Sequence, residues 1–367
     1  MTRAGLGTTP VHLVTGIDPE AMAAATIALQ WDLPRSVVVG HHVDPRAQQL
    51  VRVVSDVTGV LEREVVDLEH ACVSCAIRES VVPTLARLAD LGRWGAIVAH
   101  LPVGAEAVQV CRVATYDPDA LGDARVAGVV AALDGSAVTT DLMGYELLGE
   151  RSAHLVGPDS RAVAEALAPM VEYADVVCVH GSRSDEGDAL LRTLARPGTP
   201  ITYDYEGLDT EQLLVGVHDH DATERWVGDV RRDGEHHAAS DAVWTLDLRS
   251  ERPMDPARLL ARLGELGDHP ARSRGCLWLP TRPADVVAWT GAGGQLSIGT
   301  TGVWGLGRPL TRIVVTGLRE DVDTRDVIAA AFEECLLTDA EMRGGSGAWS
   351  TRRDGLEEWL GPVRRIA

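Results

Sequence analysis

The chain has 367 residues, of which 45% are hydrophobic and 24% charged, so it is long and apolar enough for two globular domains and is not a disordered protein. Its formal net charge is −20, from 34 basic and 54 acidic residues, which disfavours direct docking on the phosphate backbone of a nucleic acid. Every basic residue is an arginine, so the chain has no lysine to hold the phosphates in a P-loop nucleotide site.

The first 205 residues alternate apolar strands with helices. Helices are predicted over 20–29 and 78–91, the second from leucines that recur at helical spacing. Continuous apolar runs predict buried strands at 11–15, 36–40, 65–68, 96–99, 126–133 and 174–179. Because strands buried on both faces and separated by helices are typical of parallel sheets, the fold class predicted for 1–205 is α/β, with helices on both faces of a mostly parallel sheet.

The pattern changes twice toward the C-terminus. Residues 206–240 show no clear period and are predicted to form a linker or hinge, whose histidines either are solvated or collect metal weakly. These histidines are His218, His220, His236 and His237. Residues 241–342 combine short strands with helices at 255–266 and 326–335, which predicts a smaller α+β domain. Residues 343–367 are predicted to be a loosely attached polar tail.

Two of the six cysteines, Cys72 and Cys75, form a Cys-x-x-Cys pair. No stretch of about 18 apolar residues could span a membrane, and residues 1–15 lack the apolar core of a secretion signal. A cytoplasmic protein with reduced thiols is therefore expected. Two thiolates at this spacing can bind one tetrahedral Zn²⁺, but a helix beginning just after them would lower a thiol pKa and favour a redox pair as well. The residues alone leave both possibilities open.

The chain resembles the CobW family of P-loop metallochaperones in the run 72–79, Cys-Val-Ser-Cys-Ala-Ile-Arg-Glu, which is similar to the family's Cys-x-Cys-Cys-x-x-Arg-Asp stretch with Ser74 at the middle cysteine. A second likeness lies in 272–278, Arg-Ser-Arg-Gly-Cys-Leu-Trp, and a third in 335–341. The resemblance implies a P-loop-NTPase-like domain over 1–205, followed by a smaller α+β domain of the CobW C-terminal type over 241–342.

The residues that bind nucleotide in this family are largely missing. The family's loop, Gly-x-x-Gly-x-Gly-Lys-Thr, corresponds to 16–23, where only Gly16 is kept. Asp18 would repel phosphate, Pro19 has no N–H to donate, and Met22 stands where the family has lysine. The chain therefore resembles a GTPase with a degenerate P-loop, and bound GTP and Mg²⁺ are not expected.

A Cys-x-x-Cys pair is only half of a tetrahedral zinc site, so further ligands are required. His41 and His100 each follow a predicted strand, at the edge where open α/β sheets bind ligands. The CobW family also places a metal-binding glutamate near His41. His70 precedes the pair by two residues and is a further candidate, although each of the three histidines has the alternative of an ordinary polar residue. The candidate metal ligands are Cys72, Cys75, His41, His100 and His70.

Within the CobW family, the Cys-Val-Ser-Cys spacing and the degenerate P-loop are similar to an actinobacterial branch that recruits a ribosome hibernation factor when zinc is scarce. The resemblance implies a Zn²⁺-binding scaffold that recruits such a factor, or another ribosome-associated protein, and that contacts neither nucleic acid nor membrane. Two alternatives remain. One is a GTP-dependent zinc metallochaperone, as in the wider family, and the other is a thiol oxidoreductase that uses the Cys-x-x-Cys pair.

Overall fold

The computed structural model shows two compact units. Unit 1 comprises residues 1–141 and 146–224, and unit 2 comprises 142–145 and 225–367. The residues that the structure describes are 8–44, 47–67, 73–151, 159–205, 208–232, 234, 240–319, 323–343 and 353–363. Within these ranges, every helix is too short or too polar to cross a membrane.

Unit 1 is built on an eight-stranded sheet in the order β4-β3-β2-β5-β1-β6-β7-β8. Its strands are β1 (Thr9–Gly16), β2 (Ser36–Asp44), β3 (Gln49–Asp56), β4 (Gly59–Asp67), β5 (Ala96–His100), β6 (Ala124–Asp134), β7 (Val176–His180) and β8 (Ile201–Tyr203). Six neighbouring strands, β2, β5, β1, β6, β7 and β8, are parallel to one another. Strand β3 pairs antiparallel with β2, and β4 pairs antiparallel with β3. The predicted α/β class with a mostly parallel sheet is confirmed.

Helices cover both faces of the parallel strands. They are α1 (Pro19–Asp32), α2 (Val73–Ala76), α3 (Val82–Asp90), α4 (Ala107–Tyr116), α5 (Val138–Met143), α6 (Leu148–Arg151), α7 (Val163–Tyr173) and α8 (Asp185–Leu194), and a π-helical turn, Ile77–Val81, joins α2 to α3. Val14 of β1 packs with Met22 of α1, on what we call the α1 face. Its neighbour Leu13 packs with Leu85 of α3, on the opposite or α3 face. Since alternate residues serve two cores, the strands appear in the sequence as continuous apolar runs.

Strands β3 and β4 form a hairpin that extends the sheet beyond its parallel part. The sequence pattern does not predict β3, because Arg52 and other polar residues interrupt its apolar positions. In the structure Arg52 lies on the α3 face, where it donates a hydrogen bond to the Thr84 hydroxyl at 3.0 Å and pairs with Glu64 of β4. The strand accommodates this charged residue because a carboxylate of the neighbouring strand and a hydroxyl of α3 accept hydrogen bonds from its guanidinium.

Unit 2 has an antiparallel five-stranded sheet in the order β12-β11-β10-β13-β9. Its elements are β9 (Val243–Ser250), α11 (Pro256–Ala261), α12 (Leu263–Gly267), β10 (Ala271–Leu277), β11 (Asp285–Ala292), β12 (Gln295–Val303), β13 (Thr311–Leu318), α13 (Arg325–Cys335), α14 (Asp339–Arg343) and α15 (Glu357–Leu360). Trp289 and Ile313 of the sheet pack against Ile328 and Phe332 of α13. The predicted α+β organisation is confirmed here.

Residues 206–240, predicted to lack regular structure, instead contain two helices. These are α9 (Thr210–Val215) and α10 (His220–Arg232), and the boundary between the units falls inside α10, after Glu224. The many charges of this segment hide a helical spacing of buried residues, since Thr223 and Val230 lie seven positions apart and are both buried.

Two histidines of this segment are buried in unit 1, against the expectation that they are solvated. His218 Nδ1 lies 2.8 Å from the Asp175 carboxylate, and His220 Nδ1 lies 2.6 Å from the Tyr173 hydroxyl. His236 and His237 lie outside the described residues. The sequence pattern does not predict this cluster because Asp175 lies more than 40 residues away from both histidines.

The C-terminal tail is also anchored more firmly than predicted. Thr281 and Arg282 donate hydrogen bonds to the Asp354 carboxylate at 2.9 and 2.8 Å, and this ion pair is almost fully buried. Leu356, two residues further on, is fully buried in the core of unit 2. Residues 353–356 therefore belong to unit 2, while 344–352 and 364–367 lie outside the described residues.

Candidate metal and nucleotide sites

Helix α1 begins just after strand β1, at the position where P-loop folds hold phosphate. A Cβ added to Gly16 would lie 2.5 Å from the Ala132 carbonyl oxygen and 2.9 Å from Met22 Cγ. Met22 itself is fully buried. Close packing therefore requires the one glycine that is kept from the family's loop, and Met22 fills the space beside it instead of extending toward a phosphate.

The N-terminus of α1 is capped by the chain's own carboxylate. Asp18 accepts a hydrogen bond from the N–H of Ala21 at 2.7 Å, and Pro19, in the first turn, has no N–H. Free N–H groups at a helix N-terminus are what bind phosphate in nucleotide sites. Here a negative side chain already uses one of them and another is missing, so the position is unsuited to a phosphate.

Replacing Asp18 with alanine should lower the free energy of unfolding by about 1 kcal/mol, because α1 loses its N-cap. Urea denaturation of the purified protein measures this loss. Asp18→Asn is the matched control, since it keeps the capping oxygen but removes the charge, and it should stay close to the wild type. Equal stability of the alanine variant and the wild type would show that the cap does not support α1.

Cys75 lies in the short helix α2 and is half-buried. The next residue, Ala76, is fully buried and packs with Val43 of β2, so α2 is held against the α3 face of the sheet. Cys72 and His70, the other candidates from this segment, lie outside the described residues. The structure therefore fixes the surroundings of one cysteine of the pair.

His41 lies on the same α3 face, near the end of β2. Val39 and Val43, two residues before and after it in the strand, pack in the hydrophobic clusters of the α3 face. The His41 side chain is only 3% exposed. Neither ring nitrogen makes a hydrogen bond of normal geometry with a described residue. Burial and the nearby Arg52 guanidinium lower the pKa of His41 to about 3, although the main chain of His100 partly opposes them. The imidazole is neutral at pH 7, which is the form that binds metal.

His100 ends β5 and lies on the opposite face, beside α1. Its Nδ1 is 3.0 Å from the Thr26 hydroxyl, which donates its only proton to the Met22 carbonyl at 2.7 Å. The contact must therefore be donated by His100 Nδ1–H. Burial, and to a smaller extent the charge of His42, lowers the pKa of His100 to about 4. The ring is thus neutral, and its Nε2 is a hydrogen-bond acceptor.

The two predicted histidine ligands that the structure describes, His41 and His100, do not converge on one point. The His41 and His100 rings project from opposite faces of the sheet, whereas Cys75 and His41 share the α3 face. Within the described ranges, no group of three or more His, Cys, Asp or Glu side chains is arranged to hold a metal ion. Strand alternation explains the separation, because residues 98 and 100 of β5 point to the α1 face while 39 and 41 of β2 point to the α3 face.

A pocket that the sequence pattern does not predict lies on the α1 face. It has a volume of about 540 Å³ and is lined by α1, β2, β3 and the His100 side chain. No residue type or spacing indicates it, because its floor includes β3, which the sequence does not predict. The only available signal is the proximity of His100 to the end of a predicted strand.

Comparison with known proteins gives matches over both units. Residues 243–336 match the family model described as the cobalamin synthesis protein cobW C-terminal domain. The chain is 29% identical over 316 residues to the protein named Zinc chaperone Rv0106 of Mycobacterium tuberculosis, covering 81% of this chain and 74% of that protein. It is 20% identical over 340 residues to Zinc-regulated GTPase metalloprotein activator 1 of Dictyostelium discoideum, covering 82% and 70%.

Two solved structures are also similar at a low level. The Zn(II)-bound YjiA GTPase from E. coli is 14% identical, with a TM-score of 0.35, and a Zn(II)-bound triple mutant of YjiA is 15% identical, with a TM-score of 0.36. Each match covers 90% of this chain and 100% of the other. At this low identity and TM-score, the two structures give no information about the site. Residues 243–336 are thus similar to the cobW C-terminal domain, and the two longer matches extend the likeness over most of the chain to a zinc chaperone and a zinc-regulated GTPase metalloprotein activator.

Proposed function

We propose that the protein is a Zn²⁺-binding, zinc-responsive CobW-like scaffold. The observation that carries the proposal is His41, a buried neutral imidazole with no hydrogen-bond partner of normal geometry among the described residues, on the same sheet face as the Cys75 helix. A buried polar group of this kind requires an explanation, and a metal ion is one, since zinc takes imidazole and thiolate ligands together. The names of the relatives, a zinc chaperone and a zinc-regulated GTPase activator, support the same chemistry.

The zinc ligands in this proposal are Cys72, Cys75 and His41, with His70 as a fourth candidate. The His100 side chain lies on the opposite face of the sheet from His41 and is not part of this set. Thiolates must lose their protons to bind, so zinc occupancy is expected to fall in acid. Bound zinc would add a metal ion and its ligands to the surface that a partner meets.

Metal content tests this proposal directly. We expect close to one zinc per chain in protein purified under reducing conditions, and almost none in the Cys72→Ser/Cys75→Ser variant, measured by elemental mass spectrometry. His41→Phe should weaken zinc binding at least about tenfold, as the loss even of outer-shell partners does at other metal sites. Cys178→Ala, a buried cysteine of β7 on another part of the sheet, is the matched control and should keep its zinc.

Four outcomes would contradict the zinc scaffold. Metal-free wild-type protein under reducing conditions, or zinc retained in the double variant, would remove the proposed site. Quantitative disulfide formation between Cys72 and Cys75 with substrate turnover would favour the thiol oxidoreductase instead. Guanine nucleotide that copurifies or binds at micromolar concentration with Mg²⁺ would favour the GTP-dependent metallochaperone.

We further propose that the scaffold works without GTP hydrolysis. The Asp18 cap, the missing N–H of Pro19 and the buried Met22 support this, as does the absence of lysine from the chain. Hydrolysis of nucleotide triphosphates in P-loop proteins depends on a lysine and a Mg²⁺-bound hydroxyl, and here the hydroxyl position is Ala23.

The partner that we propose is a ribosome hibernation factor or another ribosome-associated protein, from the resemblance of the Cys-Val-Ser-Cys segment to the actinobacterial branch. The net charge of −20 favours contact through protein over direct contact with ribosomal RNA. A pulldown from zinc-starved and zinc-replete cells tests this. Capture of the same proteins in both conditions, or of none that bind ribosomes, would count against it.

A further inference from the structure

The pocket on the α1 face has the antiparallel pair of β2 and β3 as its floor and the middle of α1 as one wall, and His100 also lines it. His41 of the proposed zinc site belongs to the lining as well, although its side chain points to the α3 face. Gly40 lies opposite Val53 and His42 lies opposite Val51. Because successive residues of a strand alternate between the two faces, the side chains of His42, Val51 and Val53 lie on the face away from the His41 side chain.

The floor of this pocket is open because of Gly40. A Cβ added there would have a single neighbour within 4 Å, the Val53 carbonyl oxygen at 3.9 Å. Gly16 of the same sheet differs, since a Cβ there would meet the Ala132 carbonyl oxygen at 2.5 Å. Packing therefore does not require a glycine at position 40, and its lack of a side chain leaves a space that a ligand can fill.

Several polar residues line the pocket, among them Gln30, His42 and Ser55, and His100 is the one whose ring orientation a hydrogen bond fixes. His100 donates from Nδ1 to Thr26, so the other ring nitrogen, Nε2, is a fixed acceptor. The walls include Val38, Val51 and Val53 of the sheet. A ligand that donates one hydrogen bond to His100 while burying an apolar body would match both features.

The lining contains no carboxylate and no guanidinium. A charged ligand would lose its hydration there without a compensating ion pair, and this disfavours nucleotides, phosphates and carboxylates. The volume of about 540 Å³ lies in the range of small-molecule sites. We propose that this pocket binds a neutral, mainly apolar small molecule that carries one N–H or O–H donor, such as an indole, with its donor on His100 Nε2.

Binding of indole to the purified full-length chain, followed by ligand-observed NMR, tests the proposal. Indene is the matched probe, because it has nearly the same shape but no N–H. We expect indole to bind about tenfold more tightly than indene, since a buried acceptor left without a donor is unfavourable. In His100→Phe this preference should disappear. Equal affinity of the two probes for the wild type, or no binding of indole at millimolar concentration, would overturn the proposal.

A second pair of variants tests the location. Gly40→Val should block indole binding because the new side chain fills the floor, and a β-branched residue suits a strand. Gly299→Val is the control, because a Cβ at Gly299 of β12 also has open space around it but lies in unit 2. Indole binding that survives Gly40→Val with the fold intact would overturn the proposal. A second result would also overturn it. If the Cys72→Ser/Cys75→Ser protein still bound zinc and lost it on a further change of His100, then His100 would be a metal ligand.

Discussion

Unit 2 of the Gly275→Ala variant should fail to fold stably, with a loss of more than about 4 kcal/mol in the free energy of unfolding. Gly275 lies in β10, the central strand of the five-stranded sheet, opposite Ile313 of β13. A Cβ at this position would lie 1.9 Å from the Arg312 carbonyl oxygen. This neighbour is backbone, so β13 would have to move away and break its ladder with β10.

Urea denaturation followed by tryptophan fluorescence measures this effect, because Trp289 is buried in the core of unit 2. Gly299→Ala is the matched control. It places the same methyl group in edge strand β12 of the same sheet, where no atom lies within 4 Å, and should change stability by less than about 1 kcal/mol. A Gly275→Ala protein with the wild-type midpoint would show that β13 does not approach β10 as closely as described.

The second large effect is expected at Asp175 in unit 1. Its carboxylate is 1% exposed and accepts hydrogen bonds from Arg196 at 2.7 Å, from His218 at 2.8 Å and from the N–H of Val129 at 2.9 Å. Asp175→Asn keeps the shape but leaves the buried His218 and the partly buried Arg196 without their counter-charge. We expect a loss of about 3–5 kcal/mol, as for other broken buried ion pairs.

The same cluster predicts how stability depends on pH. Burial alone would lower the pKa of His218, but the Asp175 carboxylate, helped by the Cys111 thiol, outweighs it and raises the pKa from 6.5 to about 10. The pKa of His218 is higher in the folded than in the unfolded protein. The stabilisation that protonated His218 gives the fold is therefore complete below pH 6.5 and is lost as the pH rises through 10. The slope approaches about 1.4 kcal/mol per pH unit within this window.

Denaturation midpoints at pH 7 and pH 10 test the pH prediction. Wild-type protein should lose stability between the two, and Asp175→Asn should lose much less, because its His218 no longer gains a partner on folding. Glu224→Gln is the control. Its ion pair with Arg112 is exposed, so the change should cost under about 1 kcal/mol. Parallel pH curves for wild type and Asp175→Asn would contradict the assignment.

The fold could be predicted from the sequence wherever one physical signal dominated. Strands β1, β5, β6 and β7 are buried on both faces, and their continuous apolar runs predict them within a few residues. Strand β3 carries Arg52 between its buried residues Leu50 and Val54, so its apolar signal is interrupted. Helix α10 is highly charged, and its buried positions are too few to stand out from a polar segment.

The candidate sites depended more on tertiary structure. A strand's alternation can tell that His41 and His42 point to opposite faces, but the sequence does not show which face meets α2. The contacts of His218 and His220 with Asp175 and Tyr173 join segments that are more than 40 residues apart. By contrast, the expectation that 16–23 does not bind phosphate rests on the residue types of that segment alone, and it stays a prediction.

The packing of Ala21 and Met22 also bears on which substitutions the chain can accept. A lysine at position 22 would place an ammonium group where a fully buried thioether now packs against Gly16, and a glycine at 21 would replace a buried alanine of α1 at a cost of about 1 kcal/mol. Substitutions that bring these two positions closer to the loop Gly-x-x-Gly-x-Gly-Lys-Thr therefore lower stability before any phosphate contact is made. We expect this barrier to keep the segment from acquiring phosphate-binding residues one at a time, and to leave it free to diverge as part of the hydrophobic core.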